Sequence, residues 1–224
     1  MRGFLELVML HPDKTLNITT FISQALDANC YLVSDDAKML VIDPCVSYDE
    51  VIRHHQLPIA AVLLTHAHFD HFMELPSYLN KGIKLYLHRA ALAKLADPLK
   101  SYSFYFNPLK IDLLPSQYEV VFDYSRIFIL SQSILVIETP GHTDCSLCFI
   151  IENNMFSGDT VFYHNIGRTD LYSGNMVEML KSLQKIRDFK QNYQIYPGHG
   201  QKTTLEQEIK SNPYFKRSFN GKNY

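Results

Sequence analysis

The chain has 224 residues, 46% hydrophobic and 20% charged, a balance that suits one globular domain with its own core and excludes a disordered or fibrous class. A formal net charge of −2 lacks the excess of Lys and Arg that a broad nucleic-acid footprint demands. No apolar run reaches the roughly 18 residues needed to span a bilayer, and four cysteines are too few for a disulfide framework. The expectation is therefore a single cytoplasmic domain over residues 1–224, with neither membrane nor nucleic acid as partner and its oligomeric state left open.

The opening segment, Met1–Leu10, faintly resembles a signal peptide, but Glu6 interrupts a short apolar stretch; a first strand or buried terminal segment is expected instead. Short strands follow at Leu16–Ile22, Cys30–Val33 and Met39–Ile42, by length and composition. Ser47, with Glu50 three residues on, predicts a capping box opening a helix with Val51 and Ile52 on its inner face. Ala60–Leu64 has buried-strand length and ends at Thr65-His66. A helix is expected over Phe72–Leu79, a strand over Ile83–Leu87 and a short helix over Arg89–Leu95.

Residues 97–117 break the pattern with Pro98, Pro108 and Pro115 and with Tyr102, Phe104, Tyr105 and Phe106. This reads as a long irregular surface segment, a candidate lid, with core packing under a long loop as the alternative. Strands then recur at Ile127–Leu130, Ser133–Thr139, Leu147–Ile151 and Met155–Ser157. Val177–Phe189 has helical spacing with Leu180, Leu183 and Ile186 on one face. Gln194–Tyr196 is a last strand, and Thr204 caps a final helix over Leu205–Lys210. Strands in groups and helices in both halves predict a layered α/β fold.

The chemistry concentrates in Thr65-His66-Ala67-His68-Phe69-Asp70-His71. Three imidazoles and a carboxylate directly follow a buried strand, and these are donors that zinc, iron and manganese accept. Such a cluster arises by chance in about one chain in a thousand of this composition. Three more candidate ligands each follow an apolar strand in a glycine-containing turn: His142 in Pro140-Gly141-His142-Thr143, Asp159 in Ser157-Gly158-Asp159-Thr160, and His199 in Pro197-Gly198-His199-Gly200. Glycine lets the backbone turn sharply so that the next side chain faces a shared pocket.

The order H-x-H-x-D-H, G-H, G-D, G-H resembles the metallo-β-lactamase-fold hydrolases from about Asn29 to Pro213. Within them the chain is most similar to the compact glyoxalase II-like (hydroxyacylglutathione hydrolase-like) group, sharing Asn29-Cys30, Val41-Ile42-Asp43-Pro44 and Gly167-Arg168-Thr169-Asp170. The resemblance implies a four-layer αβ/βα sandwich with metals at one edge between two sheets. It also implies a dinuclear site: His66, His68 and His142 on one divalent cation, Asp70, His71 and His199 on the second, and Asp159 bridging, with zinc foremost and iron or manganese as alternatives. The implied reaction is hydrolysis of a small-molecule thioester such as S-lactoylglutathione by a metal-bridging hydroxide, with Asp70 as the catalytic carboxylate that aims it.

Arg168 stands where glyoxalase II has a substrate-holding lysine, so the resemblance implies a substrate-binding role; a pair with Asp170 or Asp159 that only shapes the loop is the other reading. Several subfamilies fit less well. Flavodiiron proteins carry Glu where this chain has His68, the best-known β-lactamases lack the bridging carboxylate, acyl-homoserine lactonases add a Tyr where this chain has Phe162, and nucleic-acid processing members carry a large insertion. Glyoxalase II itself has a C-terminal glutathione-gripping domain that this chain is expected to lack. The alternative within the fold is an iron-dependent persulfide dioxygenase using His66, His142 and Asp159; outside enzymes it is a binding module. Cys145-x-x-Cys148 reads as two plain buried thiols, and His11, His54, His55, His88 and His164 as histidines outside the site.

Overall fold

The computed structural model describes residues 16–216, so the expectations for Met1–Leu10 and His11 lie outside the described residues. The first sheet begins with three antiparallel strands, β1 (Asn17–Ile22), β2 (Asn29–Ser34) and β3 (Met39–Ile42). Helix α1 (Tyr48–His54) crosses to β4 (Ile59–Leu63), parallel to β3. Helices α2 (Phe69–Phe72) and α3 (Leu75–Leu79) lead to β5 (Lys84–His88), and α4 (Ala91–Leu95) with the segment 97–117 leads to β6 (Tyr118–Val121). Both new strands join in parallel, which fits connections that cross one face of the sheet.

The second sheet starts with the antiparallel run β7 (Arg126–Phe128), β8 (Ser133–Glu138), β9 (Leu147–Ile151) and β10 (Asn154–Gly158). A small hairpin, β11 (Val161–Phe162) and β12 (Asn165–Ile166), and helix α5 (Met176–Arg187) precede β13 (Gln194–Pro197), which pairs in parallel with β10. Strand β14 (Thr203–Thr204) closes the sheet's edge, and α6 (Leu205–Ser211) follows it. The sheet orders are β1-β2-β3-β4-β5-β6 and β14-β13-β10-β9-β8-β7.

Period-2 alternation explains the layering. In β2 and β3, Cys30, Leu32, Met39 and Val41 pack beneath Val51 of α1, Leu75 and Tyr78 of α3 and Leu95 of α4. Their sequence neighbours Tyr31, Val33, Leu40 and Ile42 face the other sheet, meeting Leu147, Phe149 and Ile151 of β9. The remaining face of β9, Cys148 and Ile150, packs against Leu180, Leu183 and Ile186 of α5. Strands buried on both faces alternate between two cores instead of between core and water. The result is the expected four-layer αβ/βα sandwich. Among the described residues, no helix is long and apolar enough to cross a membrane.

Local expectations meet the structure with instructive differences. Ser47 caps α1, its side chain accepting from Glu50 N at 3.2 Å, but Glu50 turns outward to Arg53 and His54 instead of back to the cap. Val51 is buried while Ile52 is 38% exposed, since adjacent helical residues lie about 100° apart and do not share a face. The helix expected over Phe72–Leu79 is two short helices. Pro76 lacks an N–H and its ring would clash with the carbonyl four residues back, at Phe72, where α2 ends. Asn175 caps α5 through Val177 N and Glu178 N, and Thr204 caps α6 through Gln207 N. Strand β6 was not expected from its mixed sequence.

Candidate metal centre

All seven expected ligands sit at one edge of the sandwich, each just past the end of a strand: the Thr65–His71 turn after β4, His142 after β8, Asp159 after β10 and His199 after β13. Backbone bonds lock these turns together. Leu147 N donates to Thr65 O at 2.8 Å, joining the histidine turn to the second sheet. Gly198 N donates to Gly158 O at 2.8 Å, and Asn29 N to Gly198 O at 2.7 Å. The Asn29 side chain adds bonds to the carbonyls of Pro197 and Gly200 at 2.9 and 3.0 Å. Two glycines are obligatory. Gly158 has φ of +47°, and a Cβ there would overlap Thr65 Oγ1; a Cβ at Gly198 would overlap Asp159 Oδ1 and stand 2.7 Å from His71 Cε1.

The side chains gather into two clusters, His66 with His68 and His142, and Asp70 with His71 and His199, each with its donor atoms within 4.8 Å of one another. In the first, His68 Nδ1 lies 2.8 Å from His142 Nε2. In the second, His199 Nε2 lies 3.1 Å from Asp70 Oδ2 and 3.3 Å from His71 Nε2. Asp159 stands between, with Oδ1 3.4 Å from His71 Nε2 and Oδ2 3.4 Å from His142 Nε2.

An outer ring of oxygens sets the imidazoles. His142 Nδ1 lies 2.7 Å from the Arg168 carbonyl, His199 Nδ1 3.2 Å from the Asp27 carbonyl and His71 Nδ1 2.9 Å from Asp43 Oδ2. These oxygens only accept, so each Nδ1 carries a proton and each Nε2 faces inward. His66 follows through Thr65: its Nδ1 is 3.1 Å from Thr65 Oγ1, which donates to Asp43 Oδ2 at 2.6 Å. Asp43 also accepts from Thr65 N at 2.7 Å. Its oxygens are thus engaged in orienting the imidazoles, although it lies within a third donor group with His66 and His71. Sequence reasoning missed this role. Asp43-Pro44 reads as the end of an apolar strand and as part of the family resemblance, and nothing local in the sequence indicates that Asp43 faces His71.

Electrostatics follow from burial and crowding. Burial disfavours the imidazolium of His66 and His68, and neighbouring imidazoles reinforce it, so His66 falls well below its ordinary value and His68 to about 3. Burial would push Asp159 and Asp70 upward, but the His71 charge outweighs it and both carboxyls lie below the usual range, Asp159 far below. Burial opposes the charge on His71 too, yet Asp70 and Asp159 hold its proton affinity well above the ordinary value. Against the same burial penalty, the hydrogen bond that His199 donates to Asp70 and the Asp159 charge raise His199.

A cation fits this set. His66 Nε2, His68 Nε2 and Asp159 Oδ1 are buried without a hydrogen-bond partner among the described residues, an arrangement that costs about 1–3 kcal/mol per atom unless something supplies the missing interaction. Imidazole nitrogens and carboxylate oxygens in a field negative enough to hold a proton on buried His71 match a divalent transition metal.

Among the described residues, the other candidates add no side-chain donor to the two clusters. The Arg168 guanidinium is exposed and grips Asp170 by two bonds of 2.7 Å each, so its carbonyl, not its charge, reaches the imidazoles. Segment 97–117 is irregular apart from two 3-10 turns. It is pinned at Ile111, whose N donates to Leu95 O at 2.8 Å, while Phe104, Tyr105 and Phe106 stay exposed. Cys145 and Cys148 are free and buried in different cores. His54 pairs with Glu50, His88 with Glu138, His55 lies against Phe21, and His164 packs on Tyr163.

Comparison with known proteins agrees with this geometry. The profile of the Metallo-beta-lactamase superfamily matches residues 24–199. The chain is 30% identical over 196 residues to the probable metallo-hydrolase YqgX of Bacillus subtilis, covering 84% of this chain and 92% of that one. It is 32% identical over 183 residues to a hydroxyacylglutathione hydrolase of Francisella tularensis subsp. novicida, covering 80% of this chain and 65% of that protein. Among solved structures it is similar to the BLEG-1 B3 metallo-beta-lactamase, at TM-score 0.81 and 29% identity over 90% of this chain and 100% of that one. It is also similar to TTHA1623 in a di-iron-bound form, at TM-score 0.77 and 27% identity over 88% and 99%. With that profile covering most of its length, the chain belongs to the metallo-β-lactamase superfamily.

Proposed function

We propose that the chain is a metal-dependent hydrolase of the glyoxalase II type that cleaves a thioester, with S-lactoylglutathione as the type compound. The observation that carries the reading is the Asp159 carboxylate, one oxygen toward each three-residue cluster. In this reading His66, His68 and His142 hold one divalent cation, Asp70, His71 and His199 a second, and Asp159 both, with zinc first and iron or manganese suited to the same donors. The similarity to TTHA1623 in its di-iron form supports two ions, and the similarity to a hydroxyacylglutathione hydrolase supports a thioester.

Bound divalent cations supply Lewis acidity, drawing the pKa of water from about 15.7 toward 7 and polarising a carbonyl. Asp70, kept ionised beside His71 and His199, accepts a hydrogen bond from the attacking water and aims its lone pair at the carbonyl carbon. The C–S bond breaks, one proton of the water leaves with the thiol, the other passes to solvent and the acyl group departs as a carboxylate; no serine or cysteine nucleophile is required. Four free, buried thiols support a reducing, cytoplasmic setting, and a small molecule as the partner is consistent with the concave site.

The test is turnover by the metal-loaded enzyme on S-lactoylglutathione, a homoserine lactone, a chromogenic β-lactam and glutathione persulfide. The expected result is thiol release from the thioester at least a hundred-fold above the lactone and β-lactam, without oxygen uptake. Oxygen consumption on the persulfide would instead identify an iron dioxygenase centred on His66, His142 and Asp159, and faster β-lactam opening a lactamase.

A further inference from the structure

A cavity of about 640 Å³ opens over the two clusters, a size typical of small-molecule sites. Its floor is polar, with His68, Asp70, His142, Asp159 and His199, and its walls are apolar. Two aromatic rings start at the imidazoles themselves. Tyr102 meets His68 edge-on at 5.4 Å between centroids, and Phe162 meets His199 edge-on at 6.0 Å. From there the wall continues outward: Tyr105 stacks on Tyr102 at 6.1 Å, and Phe106 stacks on Phe69 at 5.9 Å. Tyr105 and Phe106 keep 68% and 60% of their surface in water, so the wall has apolar area left to bury. The backbone holds it in place, since Tyr172 N donates to Tyr102 Oη at 2.6 Å and ties this wall to the loop that carries Leu171.

Charge decides what fits. Histidines aside, Arg168 is the one cationic side chain lining the cavity among the described residues, and Asp170 already neutralises it with two bonds of 2.7 Å. Glutathione carries two carboxylates and an ammonium, which this wall gives no free counter-charge, and desolvating unpaired charge is costly. We infer that the substrate is a thioester of an apolar acyl group, aromatic or long-chain aliphatic, on a carrier with no free carboxylate at the wall. Tyr105 and Phe106 cover that acyl group. The inference rests on the thioesterase reading above and narrows it, ranking S-lactoylglutathione below thioesters of apolar acyl groups.

The experiment holds the thiol constant. Acetyl, lactoyl, phenylacetyl and octanoyl thioesters of N-acetylcysteamine are compared with S-lactoylglutathione by kcat/KM. Separately, calorimetry compares binding of uncleavable phenethyl and methyl thioethers of the same thiol. The expected result is a preference of about ten-fold or more for phenylacetyl or octanoyl over lactoyl, and phenethyl thioether binding tighter by a similar factor. Phe106→Ala should cut both ratios at least three-fold, whereas Phe128→Ala, an exposed aromatic on β7 outside the cavity, should leave them unchanged. Similar rates for all acyl groups with equal thioether affinities would overturn the apolar specificity and leave the thioesterase reading standing. Failure to cleave any thioester would overturn the thioesterase reading itself, and the affinity ratio, measured without turnover, would still decide whether the wall selects apolar groups.

Discussion

Asp159 divides its carboxylate between the two clusters, Oδ1 at 3.4 Å from His71 Nε2 and Oδ2 at 3.4 Å from His142 Nε2. These two imidazoles come from turns 71 residues apart, one after each sheet, so this carboxylate closes the site across the sandwich. Asp159→Ala removes the shared acceptor and leaves both clusters short of negative charge. Metal content and activity should fall together. Losing an outer-ring partner alone typically costs 10–100-fold, so removing the carboxylate proposed to hold both cations should cost on the order of a hundred-fold or more in kcat. Elemental analysis alongside thioester turnover checks this; a variant that kept full turnover would contradict the scheme.

Asp43→Asn tests the outer ring. Asp43 accepts from Thr65 N, Thr65 Oγ1 and His71 Nδ1, and an amide turns one acceptor into a donor facing a donor. Circular dichroism should show the fold retained, while competition against a chromogenic chelator shows metal affinity weakened by about 10–100-fold.

Gly198→Ala should cost metal binding for a purely steric reason. The added methyl overlaps Asp159 Oδ1 and crowds His71 Cε1, and the surroundings are backbone and buried side chains with no flexible end to yield. The expected outcome is a folded protein with sharply reduced metal content. Normal metal content in Gly198→Ala would mean that the strand ends are looser than the hydrogen bonds from Gly198 N and Asn29 N indicate.

The sequence makes the strands legible because continuous apolar runs such as Leu147–Ile151 have no other stable home than between two layers. The helix starts at Ser47 and Thr204 are legible because a hydroxyl cap is a local interaction. The seven side chains that converge were visible as a pattern of strand-end turns. What was hidden depends on contacts distant in sequence. Strand β6 reads Tyr-Glu-Val-Val and becomes a strand only by pairing with β5. Asp43 reaches His71 across 28 residues, and Arg168 offers His142 its carbonyl across 26. Side-chain type does not reveal a role played by the backbone.

Asp35 supplies a stability prediction away from the metals. Its buried carboxylate accepts from Ala37 N at 2.9 Å, Lys38 N at 3.0 Å and Ser131 N at 2.8 Å, tying the β2–β3 turn to the β7–β8 turn. Burial pushes its pKa up, but these amide donors outweigh it and hold it below the ordinary carboxylate value. A depressed native pKa means that the stabilisation is present above the unfolded value of about 3.9 and is lost as pH falls through the native value. Asp35→Ala should destabilise the fold by about 1–3 kcal/mol at pH 7 by removing the charged acceptor of three part-buried hydrogen bonds. Urea denaturation of both proteins should show the gap narrowing below pH 4; a constant gap would assign the effect to packing.

The most direct measurement is the metal stoichiometry of the purified protein, by elemental analysis after dialysis against metal-free buffer, together with its melting temperature before and after chelation. Two clusters sharing Asp159 predict close to two equivalents of divalent metal per chain and a melting temperature that drops when they are stripped. A protein that retains no metal, and whose melting temperature is unmoved by adding zinc, iron or manganese, would contradict the account.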